Sequence, residues 1–235
     1  VIPVYNEEKT LEKNIVEILR FVSRLFDSND FSLTIADNAS NDNTESIGKM
    51  ISKQYQEISY LRIERKGVGA ALKEAWSKSK ADVVGYMDLD MATKLSHIAE
   101  VKEIFDKGEC DILYGSRLHN ESVVIGRSLK RVLISRVFNR ILHRYLKVNI
   151  SDGMCGFKFL DRTKFEFLLE GGAQSNGWFF CSELIIVASW NKMRVHDLPV
   201  HWTDDPNSKV QILRLTIEYI EAMYKLKKNF SSPKL

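Results

Sequence analysis

The chain has 235 residues, 44% of them hydrophobic and 28% charged, with a formal net charge of +3. That length and composition allow one large domain with a substantial apolar core and no need of disulfides or metals as staples. Cys110, Cys155 and Cys181 are odd in number and widely spaced, so neither a disulfide framework nor a structural zinc site is indicated, and a reducing compartment is expected. The chain opens at Val1 inside an apparent strand with no initiator Met, as a fragment would. No apolar run reaches bilayer-spanning length and no signal peptide is visible, which leaves any membrane span to segments outside these residues.

In chain order, apolar spacing alternates between strand and helix periods. Val1-Ile2-Pro3-Val4 is a short apolar strand, and Glu7 to Phe26 carries Leu11, Ile15, Ile18, Leu19, Val22 and Phe26 at helical spacing. Residues 31–36 read as the second strand, 44–55 as the second helix and 58–63 as the third strand. Gly67 opens a helix reaching Lys80, 81–87 is the fourth strand, and 95–105 and 111–115 add another helix and strand. This βαβα series predicts an α/β fold with a mostly parallel, Rossmann-like sheet flanked by helices. Between Glu121 and Asp152 there is no acidic side chain, while Arg127, Lys130, Arg131, Arg136, Arg140, Arg144 and Lys147 are basic. Leu129, Leu133, Val137, Ile141 and Tyr145 recur there every fourth residue, the pattern of a basic amphipathic helix. Such a helix either lies on a membrane surface or packs on the core with a solvated basic face. Motifs of nucleic-acid modules are absent, so nucleic acid is not an expected partner. Pro206 to Ser208 sets off a C-terminal helix from about Lys209 to Phe230, dividing the chain into 1–205 and 206–235.

Four strands end in polar punctuation that should gather on one edge of the sheet: Tyr5-Asn6-Glu7-Glu8, Asp37 to Asp42, Arg65 to Gly69, and Asp88-Leu89-Asp90. Open α/β sheets bind ligands at such carboxyl edges. An Asp-x-Asp there suits a hard divalent cation carrying substrate phosphates, although alone it also describes a strand running into an acidic turn. Gly67 and Gly69 either let backbone N–H groups approach a phosphate or simply make a turn. Arg65 and Lys66 add charge beside a diphosphate or form a solvated pair. Glu7 accepts from a ligand or favours the amino end of the first helix. Asp42 is expected to cap the second helix.

Together these segments resemble family-2 glycosyltransferases with the GT-A fold. Pro3-Val4-Tyr5-Asn6-Glu7-Glu8 is similar to that family's opening motif, Asp37 to Thr44 to its acidic turn, and Asp88-Leu89-Asp90 to its metal motif. Gly115-Ser116-Arg117, Ser151 to Lys158, Gly177 to Leu184 and Asp205 to Val210 extend the resemblance over almost the whole chain. They are most similar to the polyprenyl-phosphate branch, in particular dolichyl-phosphate glucosyltransferases and their bacterial relatives.

The resemblance implies a GT-A domain over 1–205, with a nucleotide-binding half to about 117 and an acceptor half from about 118. It implies inverting transfer of a hexose, glucose from UDP-glucose, to a polyprenyl or dolichyl phosphate at the cytoplasmic face of a plasma membrane or endoplasmic reticulum. Pro3, Tyr5, Glu7, Asp37, Arg65, Lys66, Gly67 and Asp88 would contact the donor, Asp37 at the base edge, and Lys209 would join them from a mobile basic loop. Asp88 and Asp90 would hold Mg²⁺ or Mn²⁺. Asp152 and Glu183 would orient donor or acceptor at the reacting centre, and Arg117, Arg127, Arg131 and Lys158 would bind the acceptor phosphate. Related mannosyltransferases have Gln two residues beyond the second Asp. Here that position is Ala92, which leaves His201 as the late-chain candidate for a third metal ligand, unless it is an ordinary packed or exposed histidine. A lipid phosphate also accounts for the lack of an obvious general base, because a phosphate monoester gives up its second proton near pH about 6.

Overall fold

The computed structural model describes residues 1–204 and 212–231, with side chains through 204 and from 218 to 230. Strands β1 (Ile2–Val4), β2 (Leu33–Asp37) and β3 (Ile58–Arg62) pair in parallel with β2 in the middle. Strands β4 (Val83–Met87), β5 (Ile112–Ser116), β7 (Phe157–Asp161) and β8 (Val195–Pro199) form a second sheet in the order β4-β7-β5-β8. Two bonds bridge the sheets, the Met87 N–H to the Val1 carbonyl at 3.3 Å and the Val1 amino group to the Gly85 carbonyl at 2.7 Å. The polar ends of β1, β2 and β4 therefore share one rim, as their punctuation predicts.

The sheet is mostly parallel, with one strand reversed. Strand β7 lies antiparallel between β4 and β5, which sets Lys158 opposite both Tyr86 and Tyr114. Its sequence, Phe-Lys-Phe-Leu-Asp, puts a cation at a buried central position, and β8 ends in Pro199, so neither carries the apolar run that marks β4. A short ribbon of β6 (Val123–Ile125) and β9 (His201–Thr203) completes the strands.

The helices largely follow the sequence pattern. Helix α1 (Leu11–Val22) buries Leu11, Ile15, Ile18, Leu19 and Val22 on one face. It starts four residues later than its apolar spacing suggests, because residues 6–8 are tied across to the loop after β2. Helices α2 (Thr44–Gln54), α3 (Val68–Lys78), α4 (His97–Asp106) and α5 (Leu129–Leu146) follow, then a 3₁₀ turn at Arg162–Lys164, α6 (Phe165–Glu170), α7 (Phe180–Trp190) and α8 (Ile212–Ser231). Trp76 of α3 is fully buried with its ring edge-on to Phe165 at 5.5 Å. Helix α7 is apolar except for Ser182, Glu183 and Ser189 and is buried throughout its first nine residues, as an all-round apolar helix must be. Tyr219, Met223 and Leu226 of α8 belong to the same apolar cluster as α5 and α7, so the C-terminal helix is packed on the domain.

Candidate active site

The site is assembled from the rim outward. Asp88 leaves β4 partly buried, and its carboxylate rests on Gly156, where a Cβ would come within 1.8 Å of Oδ2. Leu89 is a buried plug whose carbonyl accepts from the Asn14 side chain at 3.2 Å, so α1 fixes the turn between the two carboxylates. Asp90 is exposed, and its Oδ1 accepts the Ala92 N–H at 3.0 Å. Burial first, and the neighbouring Asp90 charge second, push the Asp88 carboxyl up to about 7, against the pull of Lys158 and Arg117. Two neighbouring carboxylates at the sheet rim are hard oxygen donors of the kind that hold Mg²⁺ or Mn²⁺ together with diphosphate oxygens. Among the described residues no group of three or more His, Cys, Asp or Glu forms a complete metal site.

His201 lies farther along. Bridging between Thr93 and Trp202, with the Lys94 N–H on the His201 carbonyl and the Thr203 N–H on the Ala92 carbonyl, sets His201 beside Lys94 rather than beside Asp90. Its exposed ring packs on His97 with centroids 5.5 Å apart, and its backbone N–H donates to the His97 Nε2 at 2.8 Å.

Asp37 is fully buried and its oxygens are engaged. Oδ1 accepts the Ser40 N–H at 2.9 Å, and Oδ2 accepts the Tyr60 hydroxyl at 2.5 Å with Arg62 at 3.5 Å. Asp42, expected as the cap of α2, lies one residue before the N-cap Asn43 and accepts the Thr44 N–H on one oxygen and the Glu8 N–H on the other. Glu7 serves the start of α1: its carboxylate accepts the Thr10 hydroxyl at 2.8 Å and its backbone N–H donates to the Thr44 hydroxyl. Tyr5 is exposed, with the Lys66 ammonium 3.0 Å from its hydroxyl and 4.6 Å from its ring centroid, and Pro3 is the half-buried middle residue of β1. Gly67 has φ +138°, and a Cβ there would strike the Asn176 carbonyl at 2.0 Å. Its N–H donates to Asn38 Oδ1 at 3.3 Å, a buried partner that the sequence reading did not single out. Arg65 lines a cleft of about 450 Å³ with Arg62, Lys73 and Asn176, on the outer side of α3 and not at the paired carboxylates.

The cations expected at an acceptor phosphate occupy different settings. Arg117 is nearly buried and forks onto Asp152, with Nε at 2.7 Å from Oδ2 and Nη2 at 2.9 Å from Oδ1, while its guanidinium lies 4.8 Å from the Trp202 ring centroid. Burial opposes the charge on Asp152, but Arg117 and its hydrogen bonds outweigh it and hold the carboxyl below the usual range. Lys158 is wholly buried, donates to the Cys155 carbonyl and stands 5.7 Å from the Tyr86 ring centroid; burial lowers its pKa. It therefore has no surface on which to meet a substrate, contrary to the direct contact expected of it. Arg131 is paired with Asp204 at 2.5 Å. Arg127 differs: Nη2 donates to the Ser135 hydroxyl at 2.6 Å, while Nε and Nη1 are buried with no acceptor among the described residues. Burial, then the nearby Arg117 charge, depress its pKa.

Glu183 is buried at the start of α7 and accepts both the N–H and the hydroxyl of Ser175, tying down the loop that meets Gly67. Burial raises its pKa despite those bonds. Asn139, not anticipated, is buried on α5 and accepts the Gly153 N–H at 3.0 Å, fixing the turn beside Asp152. A polar residue four after Ser135 on the inward face of an amphipathic helix was the available signal. Lys209 lies outside the described residues. Among the described residues no helix is long and apolar enough to cross a membrane.

A sheet of this order, carrying an Asp-x-Asp turn at the end of β4, has the architecture of the GT-A glycosyltransferases. The chain belongs to glycosyl transferase family 2, whose model matches residues 1–169. It is similar to glycosyltransferase AglD of Haloferax volcanii, 30% identical over 215 residues covering 91% of this chain and 34% of that protein. It is also similar to the dolichyl-phosphate beta-glucosyltransferase of Saccharomyces cerevisiae, 25% identical over 234 residues covering 90% of this chain and 68% of that protein. The chain thus spans about a third of AglD and about two thirds of the yeast enzyme. Glucosyl-3-phosphoglycerate synthase from Mycobacterium tuberculosis, solved with Mn²⁺, uridine diphosphate and glucosyl-3-phosphoglycerate, shares the fold with a TM-score of 0.69 at 16% identity, over 99% of this chain and 79% of that one.

Proposed function

We propose that this chain is the catalytic domain of an inverting, metal-dependent glucosyltransferase that uses UDP-glucose and a polyprenyl or dolichyl phosphate. The yeast relative's name supports the sugar and the lipid class. The observation that carries the acceptor is Arg127, whose Nε and Nη1 are buried donors without acceptors among the described residues. A buried cationic donor left unpaired is costly, and a phosphate oxygen removes that cost.

In this reading Asp88 and Asp90 hold Mg²⁺ or Mn²⁺, which supplies positive charge to the departing diphosphate. Tyr5, Lys66 and the Gly67 loop border the donor, and Asp37 shapes the base edge through Tyr60 and Ser40. Arg127 positions the lipid phosphate, with Arg131 close by, and the Arg117–Asp152 pair fixes the floor on which it sits. One phosphate oxygen bonds to the anomeric carbon as the bond from that carbon to the nucleotide's phosphate oxygen breaks, inverting the configuration. The acceptor is already ionised, so no side chain need remove a proton. Lys158 and Glu183 act as positioning residues, through the 155–156 turn and the 174–177 loop, and Lys209 adds charge over the diphosphate. The basic face of α5 rests on the cytoplasmic leaflet of a plasma membrane or endoplasmic reticulum.

Arg127→Gln tests the acceptor assignment. Losing a charge-assisted hydrogen bond costs about 1.5–3 kcal/mol, so the KM for polyprenyl phosphate should rise about ten- to hundredfold with the donor KM unchanged. An equal rise in both KM values, or in neither, contradicts the assignment.

A further inference from the structure

Nine of the thirteen exposed large hydrophobic side chains among the described residues fall on β6, α5 and α8. Helix α5 presents Leu129 at 87% and Leu133 at 64% exposure, followed one and two turns on by Val137 and Ile141. Helix α8 presents Ile220 at 52% and Tyr224 at 60%. These two residues lie on the side that α8 turns toward α5. Lys227, on the same face one turn beyond Tyr224, donates to the Tyr145 carbonyl at 2.9 Å and stands 4.1 Å from that ring's centroid. Seven residues before Tyr145, Phe138 meets Tyr219 with ring centroids 5.3 Å apart. The helices therefore run in the same direction, and Ile220 and Tyr224 fall alongside Val137 and Ile141. Strand β6 adds Val123 and Ile125, both exposed, and only Gly126, Arg127 and Ser128 separate Ile125 from Leu129.

Charge decides what this surface fits. No acidic side chain occurs on α5, and Lys130, Arg136, Arg140 and Arg144 are exposed along it. The acids of α8 point elsewhere: Glu218 and Glu221 line a cleft of about 350 Å³ against the 172–177 loop, and a Cβ on Gly177 would come within 2.1 Å of Glu218 Oε1. An apolar surface bordered by cations matches the acyl boundary and phosphates of an anionic bilayer, and a contiguous patch of this kind is rarely left bare in water.

We infer that β6, α5 and α8 form one composite face that docks on an anionic lipid bilayer and holds Arg127 at headgroup depth. This extends the membrane role from α5 to two further elements, and it rests on the lipid-phosphate reading for what Arg127 meets there.

The test is co-sedimentation of the protein with vesicles of phosphatidylcholine and phosphatidylserine. Ile220→Ser with Tyr224→Ser, and separately Val123→Ser with Ile125→Ser, should each lower partitioning at least about tenfold, given the apolar surface removed. Their thermal midpoints should not move, since all four side chains are exposed. Unchanged partitioning in both pairs, while Leu133→Ser with Val137→Ser releases the protein, overturns the composite face and leaves α5 as the docking element alone. If the α8 pair instead dissolves an oligomer seen by size-exclusion chromatography and leaves partitioning intact, the face belongs to a second copy and the inference is wrong. Turnover with a short, water-soluble polyprenyl phosphate is measured alongside. Its absence in the unsubstituted protein sinks the acceptor reading without affecting the docking result.

Discussion

Asp90→Ala is expected to lower kcat by about a thousandfold, the scale seen when a group that stabilises transition-state charge is removed. Its unfolding midpoint should stay close to that of the unsubstituted protein. Asp90 is exposed beyond the end of β4, and the Ala92 N–H it accepts can turn to water, so little of the core depends on it. Asp88→Ala should be equally inactive and no less stable near neutral pH, because burial and the Asp90 charge disfavour the Asp88 carboxylate in the folded protein. Turnover assayed across a Mn²⁺ titration, beside thermal unfolding of the same preparations, separates the two effects. Near-normal turnover by Asp90→Ala would remove it from the metal site.

The second large effect is on stability. Arg117→Met leaves Asp152 fully buried without its cation, and breaking a buried pair from one side costs about 3–5 kcal/mol. For a domain of this size that is a fall of about 10 °C in Tm. The sign of the pH dependence follows from the depressed pKa of Asp152 in the folded state. The pair's contribution is complete above the unfolded carboxyl pKa of about 3.9 and is lost as pH falls through the lower folded value. The gap in stability between the unsubstituted protein and Arg117→Met should therefore be full near neutrality and narrow below about pH 4. Chemical denaturation of both proteins across that range measures it, and a gap independent of pH would show that Arg117 stabilises through its stacking on Trp202 instead.

These two sites also mark where sequence reasoning succeeded and where it stopped. The position of Asp88-Leu89-Asp90 was legible because an apolar run leads straight into the two carboxylates and other polar strand ends share its rim, although the pair alone also describes an acidic turn. The first five strands and five helices were legible for a similar reason, since strand and helix periods alternate cleanly up to Ser116 and again along α5. The antiparallel β7 was not, because its central Lys158 breaks the apolar pattern and its burial depends on Tyr86 and Tyr114 on the neighbouring strands. Arg117 shows the same limit at the site. Its motif marks it as functional, but only the fold brings Asp152, 35 residues away in sequence, into its fork. Asp37 likewise reads as a rim carboxylate, and its capture by Tyr60 emerges only when β3 pairs with β2. Charges placed by local sequence could be located in advance, whereas partners supplied from distant segments could not.

The central claim is transfer to a lipid phosphate, and one assay addresses it directly. Purified protein is incubated with radiolabelled UDP-glucose, Mn²⁺ and a short polyprenyl phosphate, and the label is partitioned into organic solvent. The account predicts extractable label that requires both the metal and the lipid, is released by mild acid, and has the anomeric configuration opposite to that of the donor. Label that appears only in a water-soluble glycoside, with turnover indifferent to polyprenyl phosphate, would contradict it.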